Sequence, residues 1–153
     1  MGFWVSCAND ACQKGSLATN IVDLLTRFIP AHSQSRLFVC PSCQQATAFV
    51  EKRFDTQEGE EWAPYLRGAI RLAEDPAATY QPFVFLVSYH PAGSISDCWF
   101  SYYKDRRKEG GRLKMGYGPG GPPVLSHMQI VHLLRELIRL RYLGTAEIKE
   151  ISV

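Results

Sequence analysis

Four of the five cysteines in this chain form two close pairs, Cys7-x4-Cys12 and Cys40-x2-Cys43. Closely spaced thiolates can aim two sulfurs at one ion, and two such pairs complete a tetrahedron. Each pair follows an apolar, strand-like run (Phe3 to Ser6, and Leu37 to Val39), so a turn at a strand end can fold both side chains inward. Four protein thiolates leave no open coordination position, which makes an ion held this way structural, not catalytic. The ligand set points to one Zn2+, although four thiolates also suit iron. Two disulfides would need an oxidising compartment. A redox use of Cys40-Pro-Ser-Cys43 would need that pair to open a helix, whereas Gln44 to Val50 reads as a returning strand.

The arrangement resembles the zinc-ribbon and rubredoxin-like class over about residues 3 to 54. The resemblance implies a metal-stapled module of short strands in the N-terminal third. The first pair has four intervening residues instead of two, and a helix is expected between the pairs.

The remaining groups carry weaker chemistry. Cys98 stands alone in a strand and reads as a small buried hydrophobe, with His90 the one conceivable partner for a nucleophile. His32, His90, His127 and His132 show no ligand spacing. The run Gly116-Tyr-Gly118-Pro-Gly120-Gly121-Pro-Pro123 lacks the lysine of a phosphate loop, and its prolines remove backbone donors. It reads as a rigid connection into a helix. Catalysis is therefore not expected.

The run Trp99 to Lys108 interleaves aromatic and basic residues. Aromatic faces stack on unpaired bases, and lysine or arginine tracks phosphates. Trp99, Tyr103, Lys104, Arg106, Arg107, Lys108, Arg112 and Lys114 are the candidate contacts to nucleic acid. The net charge is +2, but unevenly spread. Residues 104 to 141 carry nine basic and three acidic side chains, leaving the rest of the chain net acidic. Such asymmetry suits an anionic partner for the C-terminal half.

Apolar residues at 46% and charged residues at 21% fit a globular chain. No apolar run approaches the roughly 20 residues of a membrane span. The opening residues show no secretory leader, so a reducing cytoplasm is the expected compartment. Met1-Gly2 with Ser6 matches the loose myristoylation template, but Phe3 to Val5 read as a buried strand.

The elements that must position these groups follow from periodicity. A strand spans Gly2 to Ser6, and a helix Leu17 to Ile29, with Ile21, Leu24, Leu25 and Phe28 at helical spacing. Arg36 to Val39 and Ala46 to Phe54 read as strands. Asp55 to Glu61 is acidic and reads as a loop. Trp62 to Ala73 reads as a short helix with Pro64 in its first turn. Phe83 to Tyr89 is apolar throughout, as in a strand covered on both faces. Asp97 to Lys104 and Arg112 to Tyr117 complete a three-stranded antiparallel meander. Ser126 and Gln129 form a capping box for a last helix, His127 to Leu143, with Gly144 as its stop. Its apolar arc is about twice the ~100° a surface helix needs. Leu133, Leu137 and Leu140 on that arc are candidates for a partner or dimer interface.

The expected fold is α+β: a zinc-ribbon-like module with a helical insertion (1–54), a linker and short helix (55–81), and a three-stranded antiparallel meander packed by a C-terminal helix (82–153). The expected function is a zinc-stabilised, non-enzymatic binding protein that contacts nucleic acid or a nucleoprotein assembly through its basic C-terminal half. The alternative is a protein–protein adaptor or small regulator, with the C-terminal helix as a candidate homodimer interface.

Overall fold

The computed structural model describes residues 2–52, 54–55, 61–116 and 121–151. Nine strands and three helices follow in chain order. They are β1 (Phe3–Cys7), β2 (Gly15–Ala18), α1 (Ile21–Arg27), β3 (Ala48–Glu51), β4 (Phe54–Asp55), β5 (Glu61–Trp62) and β6 (Tyr65–Arg71). Then come β7 (Tyr80–Ser88), β8 (Asp97–Asp105), β9 (Leu113–Gly116), α2 (His127–Arg139) and α3 (Thr145–Ile151). Seven strands form one antiparallel sheet in the order β2-β1-β3-β6-β7-β8-β9, and β4 pairs with β5 in a separate hairpin.

This overturns the expected fold class. The meander exists as β7, β8 and β9, but as one end of a seven-stranded sheet that also takes in β1, which ends on Cys7, and β3, which follows the second cysteine pair. The expected zinc ribbon with a helical insertion is not a separate architecture. The largest error is Trp62 to Ala73, where β6 replaces the helix. Leu66, Arg67, Gly68, Ala69 and Ile70 are all buried, so β6 is covered on both faces and shows no alternation. Its alanine, leucine and arginine residues favour helix locally, and tertiary burial outweighs that preference.

Gly68 marks why a strand is needed there. A Cβ on Gly68 would lie 2.1 Å from the Arg36 carbonyl oxygen and 2.7 Å from the Leu37 Cα. The chain at Leu37 bridges onto Gly68. The Phe38 N–H donates to the Arg67 carbonyl at 2.7 Å, and the Ala69 N–H to the Arg36 carbonyl at 3.0 Å. The expected strand Arg36 to Val39 is thus a single bridge, and Arg36 itself has φ 58°.

The first helix is also shorter than its periodicity suggests. Asn20 caps it, its side-chain oxygen accepting from the Asp23 N–H at 3.0 Å. Asp23 reaches back to accept from the Thr19 N–H at 2.7 Å. Residues 15 to 18, ahead of the cap, pair with β1 instead, from Phe3↔Ala18 to Ser6↔Gly15. α2 has the expected capping box but stops early, and the unexpected α3 follows it. Arg141 takes the left-handed conformation, φ 61°, and the Tyr142 N–H bonds back to the Leu137 carbonyl, so the stop precedes Gly144. The loop expected over Asp55 to Glu61 is bounded by β4 and β5, and residues 56–60 lie outside the described ones. So do residues 117–120 of the glycine-proline run.

The chain divides into two compact units. One is Met1–Ala69 with Val84–Phe100, and the other is Ile70–Phe83 with Ser101–Val153. Phe3, Val5, Leu24, Leu25, Phe28, Phe38, Leu66 and Phe85 fill the core of the first. Ile70, Leu72, Phe83, Tyr102, Leu133 and Leu137 are buried in the second. No helix among the described residues is long and apolar enough to cross a membrane.

Candidate metal centre

Cys7 ends β1, and the next residues turn at once. The Asn9 side-chain oxygen accepts from the Ala11 N–H at 3.0 Å, and the Cys12 N–H donates to the Asn9 carbonyl at 2.8 Å. This brings Cys12 back beside Cys7. The second turn repeats the device. The Gln44 N–H donates to the Cys40 carbonyl and the Cys40 N–H to the Gln45 carbonyl, both at 2.9 Å. Pairing of β1 with β3 (Ser6↔Phe49, Cys7↔Ala48) and the Ala8 N–H bond to the Thr47 carbonyl hold the two turns face to face.

The result is a cluster of four free thiols with every sulfur within 4.8 Å of the others. Cys7 Sγ lies 3.7 Å from Cys43 Sγ, and Cys12 Sγ lies 3.8 Å from Cys40 Sγ. These are not disulfide distances, which are about 2 Å. A tetrahedron of thiolates about 2.3 Å from a central ion has edges of about 3.8 Å. The four cysteines therefore have the donor set and spacing to hold a metal ion. Cys7 and Cys40 are buried, while Cys12 and Cys43 are half-buried.

Groups around the sulfurs orient them. The Asn9 N–H donates to Cys7 Sγ at 3.4 Å, and Thr47 Oγ1 lies 3.3 Å from the same sulfur. Asn9 Nδ2 donates to Gln45 Oε1 at 2.9 Å, tying one turn to the other. Such outer partners fix ligand geometry and steady negative charge on sulfur. Sequence reasoning missed Asn9, Thr47 and Gln45. The surroundings push the Cys43 and Cys12 thiols in opposite directions. The Gln45 backbone N–H and the neighbouring Cys7, Cys40 and Cys12 thiols pull Cys43 down to about 7. On Cys12 the Lys14 backbone N–H lowers the pKa, but burial and the Cys40, Cys7 and Cys43 thiols together push it up to about 11.

The other sequence candidates fall elsewhere. Cys98 is outside the cluster, and burial followed by the Asp97 charge raises its pKa, the reverse of an activated nucleophile. Lys104, Arg106, Arg107, Lys108, Arg112 and Lys114 are all exposed on the β8–β9 hairpin, whose tip is a 3-10 turn over Arg107–Glu109. Arg107 is committed to Asp105 through a two-pronged pair, Nε to Oδ1 at 2.9 Å and Nη2 to Oδ2 at 2.7 Å. Trp99 is half-buried, its ring 6.0 Å from that of Phe85. Tyr103 is buried, 6.1 Å from Phe83, so its ring presents no free face for a base. Leu133 and Leu137 are buried and Leu140 is half-buried, so these leucines face inward. The exposed apolar residues of α2 are instead Met128, Ile130, Val131 and Ile138.

Compared with protein-family models, curated proteins and solved structures, the chain matches none.

Proposed function

We propose that this chain is a zinc-stabilised, non-enzymatic binding protein that contacts nucleic acid through the β8–β9 hairpin. Zinc is favoured because a closed set of four thiolates, with no position left for substrate, is the usual design of a structural zinc site. The observation that carries the nucleic-acid reading is the hairpin's charge. Six exposed cations and only two acids, Asp105 and Glu109, lie within residues 104–114. A single solvated hairpin needs no such excess, and a phosphate backbone is the common polyanion that matches it.

The test is salt-dependent binding to single- and double-stranded oligonucleotides. Replacing Arg106, Arg107 and Lys108 together with Ala is expected to lower the log–log salt slope by about 2 on single strands, at ~0.7 for each phosphate no longer neutralised. Identical, negligible binding by wild type and the triple variant at about 50 mM salt would end this reading.

The second reading is a protein adaptor. It is favoured by one feature: Ile130 and Ile138, with half-buried Leu134 between them, form an apolar stripe along α2, flanked by Val131. Partners captured from a lysate that persist after nuclease treatment, and that vanish when Ile130 and Ile138 are made Ser, distinguish it.

A further inference from the structure

On one face of the β8–β9 ladder, Lys104 stands directly opposite Lys114, and Tyr102 directly opposite Gly116. Like charges in register repel each other. Neither ammonium is paired with a carboxylate among the described residues. Lys104 instead lies with its Nζ 5.8 Å from the Tyr102 ring centroid. Tyr102 can lie across β9 only because residue 116 is glycine, since a Cβ there would sit 2.0 Å from Tyr102 Cζ.

Beside this lysine pair opens a cleft of about 440 Å³, lined by Tyr80, Tyr102, Lys104, Pro122, Val124 and Gln129. Its walls are fixed. The Tyr80 hydroxyl accepts from the Val124 N–H at 2.9 Å and donates to the Val124 carbonyl at 3.2 Å. The Tyr80 and Tyr102 rings are 5.1 Å apart. Gln129 Oε1 accepts from the Ser126 N–H, so the amide NH2 is the end that can donate to a ligand. The cleft thus joins aromatic and aliphatic walls, one amide donor and the Lys104 cation, with Lys114 directly across the ladder from Lys104. Its size is in the range of small-molecule sites.

A simple anion would leave the aromatic wall unused, and an uncharged ring would leave the lysines repelling. A flat heterocycle carrying a phosphate satisfies both. We propose that this cleft binds one nucleoside monophosphate unit, with the base against Tyr80 and the phosphate between Lys104 and Lys114. This deepens the nucleic-acid reading by naming where a base is held, and it rests on that reading only for the source of the nucleotide, a strand or a free molecule.

The experiment is calorimetric titration of the metal-loaded protein with UMP, AMP and a hexauridylate. Two cleft variants are compared with wild type: Lys104→Gln with Lys114→Gln, and Val124→Trp. Val124 is 74% exposed, so an indole there can cover the cleft without entering the core. Melting curves confirm folding of each. Both variants are expected to weaken UMP and AMP binding about tenfold or more. The Arg106, Arg107, Lys108 triple alanine variant should weaken the hexamer and leave the mononucleotides unchanged. A hexamer that binds far more tightly than UMP identifies a strand as the source. Mononucleotide binding without a gain for the hexamer upholds the cleft and identifies free nucleotide, against the nucleic-acid reading. Hexamer binding that depends on the Arg106, Arg107, Lys108 triple but stays within about twofold of wild type in Val124→Trp overturns the cleft alone. No binding of any probe by wild type overturns both.

Discussion

Gln13 and Gln44 occupy equivalent places in the two cysteine turns. Each directly follows the second cysteine of its pair, and each stands in the left-handed region, at φ 46° and 59°. Each also donates its N–H to the carbonyl four residues back, Asn9 or Cys40. A residue with a Cβ pays about 1–2 kcal/mol in that conformation, which glycine escapes at the cost of greater freedom in the unfolded chain. Gln13→Gly is therefore expected to stabilise the protein by about 0.5 kcal/mol. Gln44→Gly should gain less, because it also loses the Gln44 Nε2 bond to the Pro41 carbonyl at 2.8 Å. Denaturant midpoints at fixed zinc concentration decide this, and a clearly destabilised Gln13→Gly would contradict the turn geometry.

The same cluster sets the effect of its ligands. Structural zinc contributes on the order of 10–16 kcal/mol of binding energy that is also folding energy. Cys40→Ser removes a ligand at a buried position and is expected to cost several kcal/mol and the bound metal. Cys98→Ser, outside the cluster, should cost about 1 kcal/mol and keep it. Purified wild type should carry one metal ion per chain by elemental analysis. Folded protein that contains neither zinc nor iron would sink the metal assignment.

The cysteine cluster was legible because ligand type and spacing are local signals, and the capping box at Ser126 and Gln129 was legible for the same reason. The sheet was not. Residues 66–70 of β6 are buried throughout, so they show no period, and Leu66, Ala69 and Arg67 read as helix formers. The β1–β2 hairpin was masked by the apolar periodicity of α1, which draws Leu17 into the helical pattern although Asn20 caps it later. On β8 the consecutive Ser101, Tyr102 and Tyr103 are all buried, although they alternate between faces. Burial on both faces comes from partners distant in sequence, and no local pattern records it.

The two sides of α2 are expected to respond differently to charge. Leu137 is 8% exposed and Leu133 5%, so Leu137→Lys or Leu133→Lys buries an ammonium and should cost about 3 kcal/mol or more. Ile138→Lys, at 42% exposure, should stay within about 0.5 kcal/mol if the outer stripe is solvated in the isolated chain. Loss of a higher-mass species in Ile138→Lys, with an unchanged melting point, would instead assign the stripe to self-association.

Asp105 reports on the hairpin tip. The Arg107 guanidinium, helped by the Arg107 backbone N–H, holds its carboxyl down at about 2. A depressed carboxylate contributes stability that is present above its unfolded pKa of about 4 and is lost as pH falls through 2. Arg107 is solvent-exposed, so screening keeps the contribution small. Carboxyl NMR should follow Asp105 to a midpoint near 2 in wild type and return it toward the ordinary range in Arg107→Ala. An Asp105 midpoint that does not move in that variant would show that the pair does not persist in solution.

Gly68 links the sheet to the cysteine cluster. The segment at Leu37 crosses β6 at Gly68, clasped by the Phe38 and Ala69 N–H bonds on either side. Two residues beyond Phe38 lies Cys40, and the Val39 N–H between them is fixed to the Phe28 carbonyl at 2.7 Å. The atoms that a Cβ at residue 68 would strike are backbone, so no rotamer change relieves the clash. Gly68→Ala is expected to push the 36–38 segment away, strain both clasping bonds and cost about 2–4 kcal/mol. Because the displaced segment leads into the second cysteine turn, zinc affinity should fall as well, measured by competition with a chelator. Gly110 is the control. It stands at φ 75° with nothing within 4 Å of a Cβ, so Gly110→Ala should cost about 1 kcal/mol through backbone conformation alone and leave zinc affinity unchanged. Equal losses of zinc affinity in both variants would mean that metal binding follows global stability and not the crossing at Gly68.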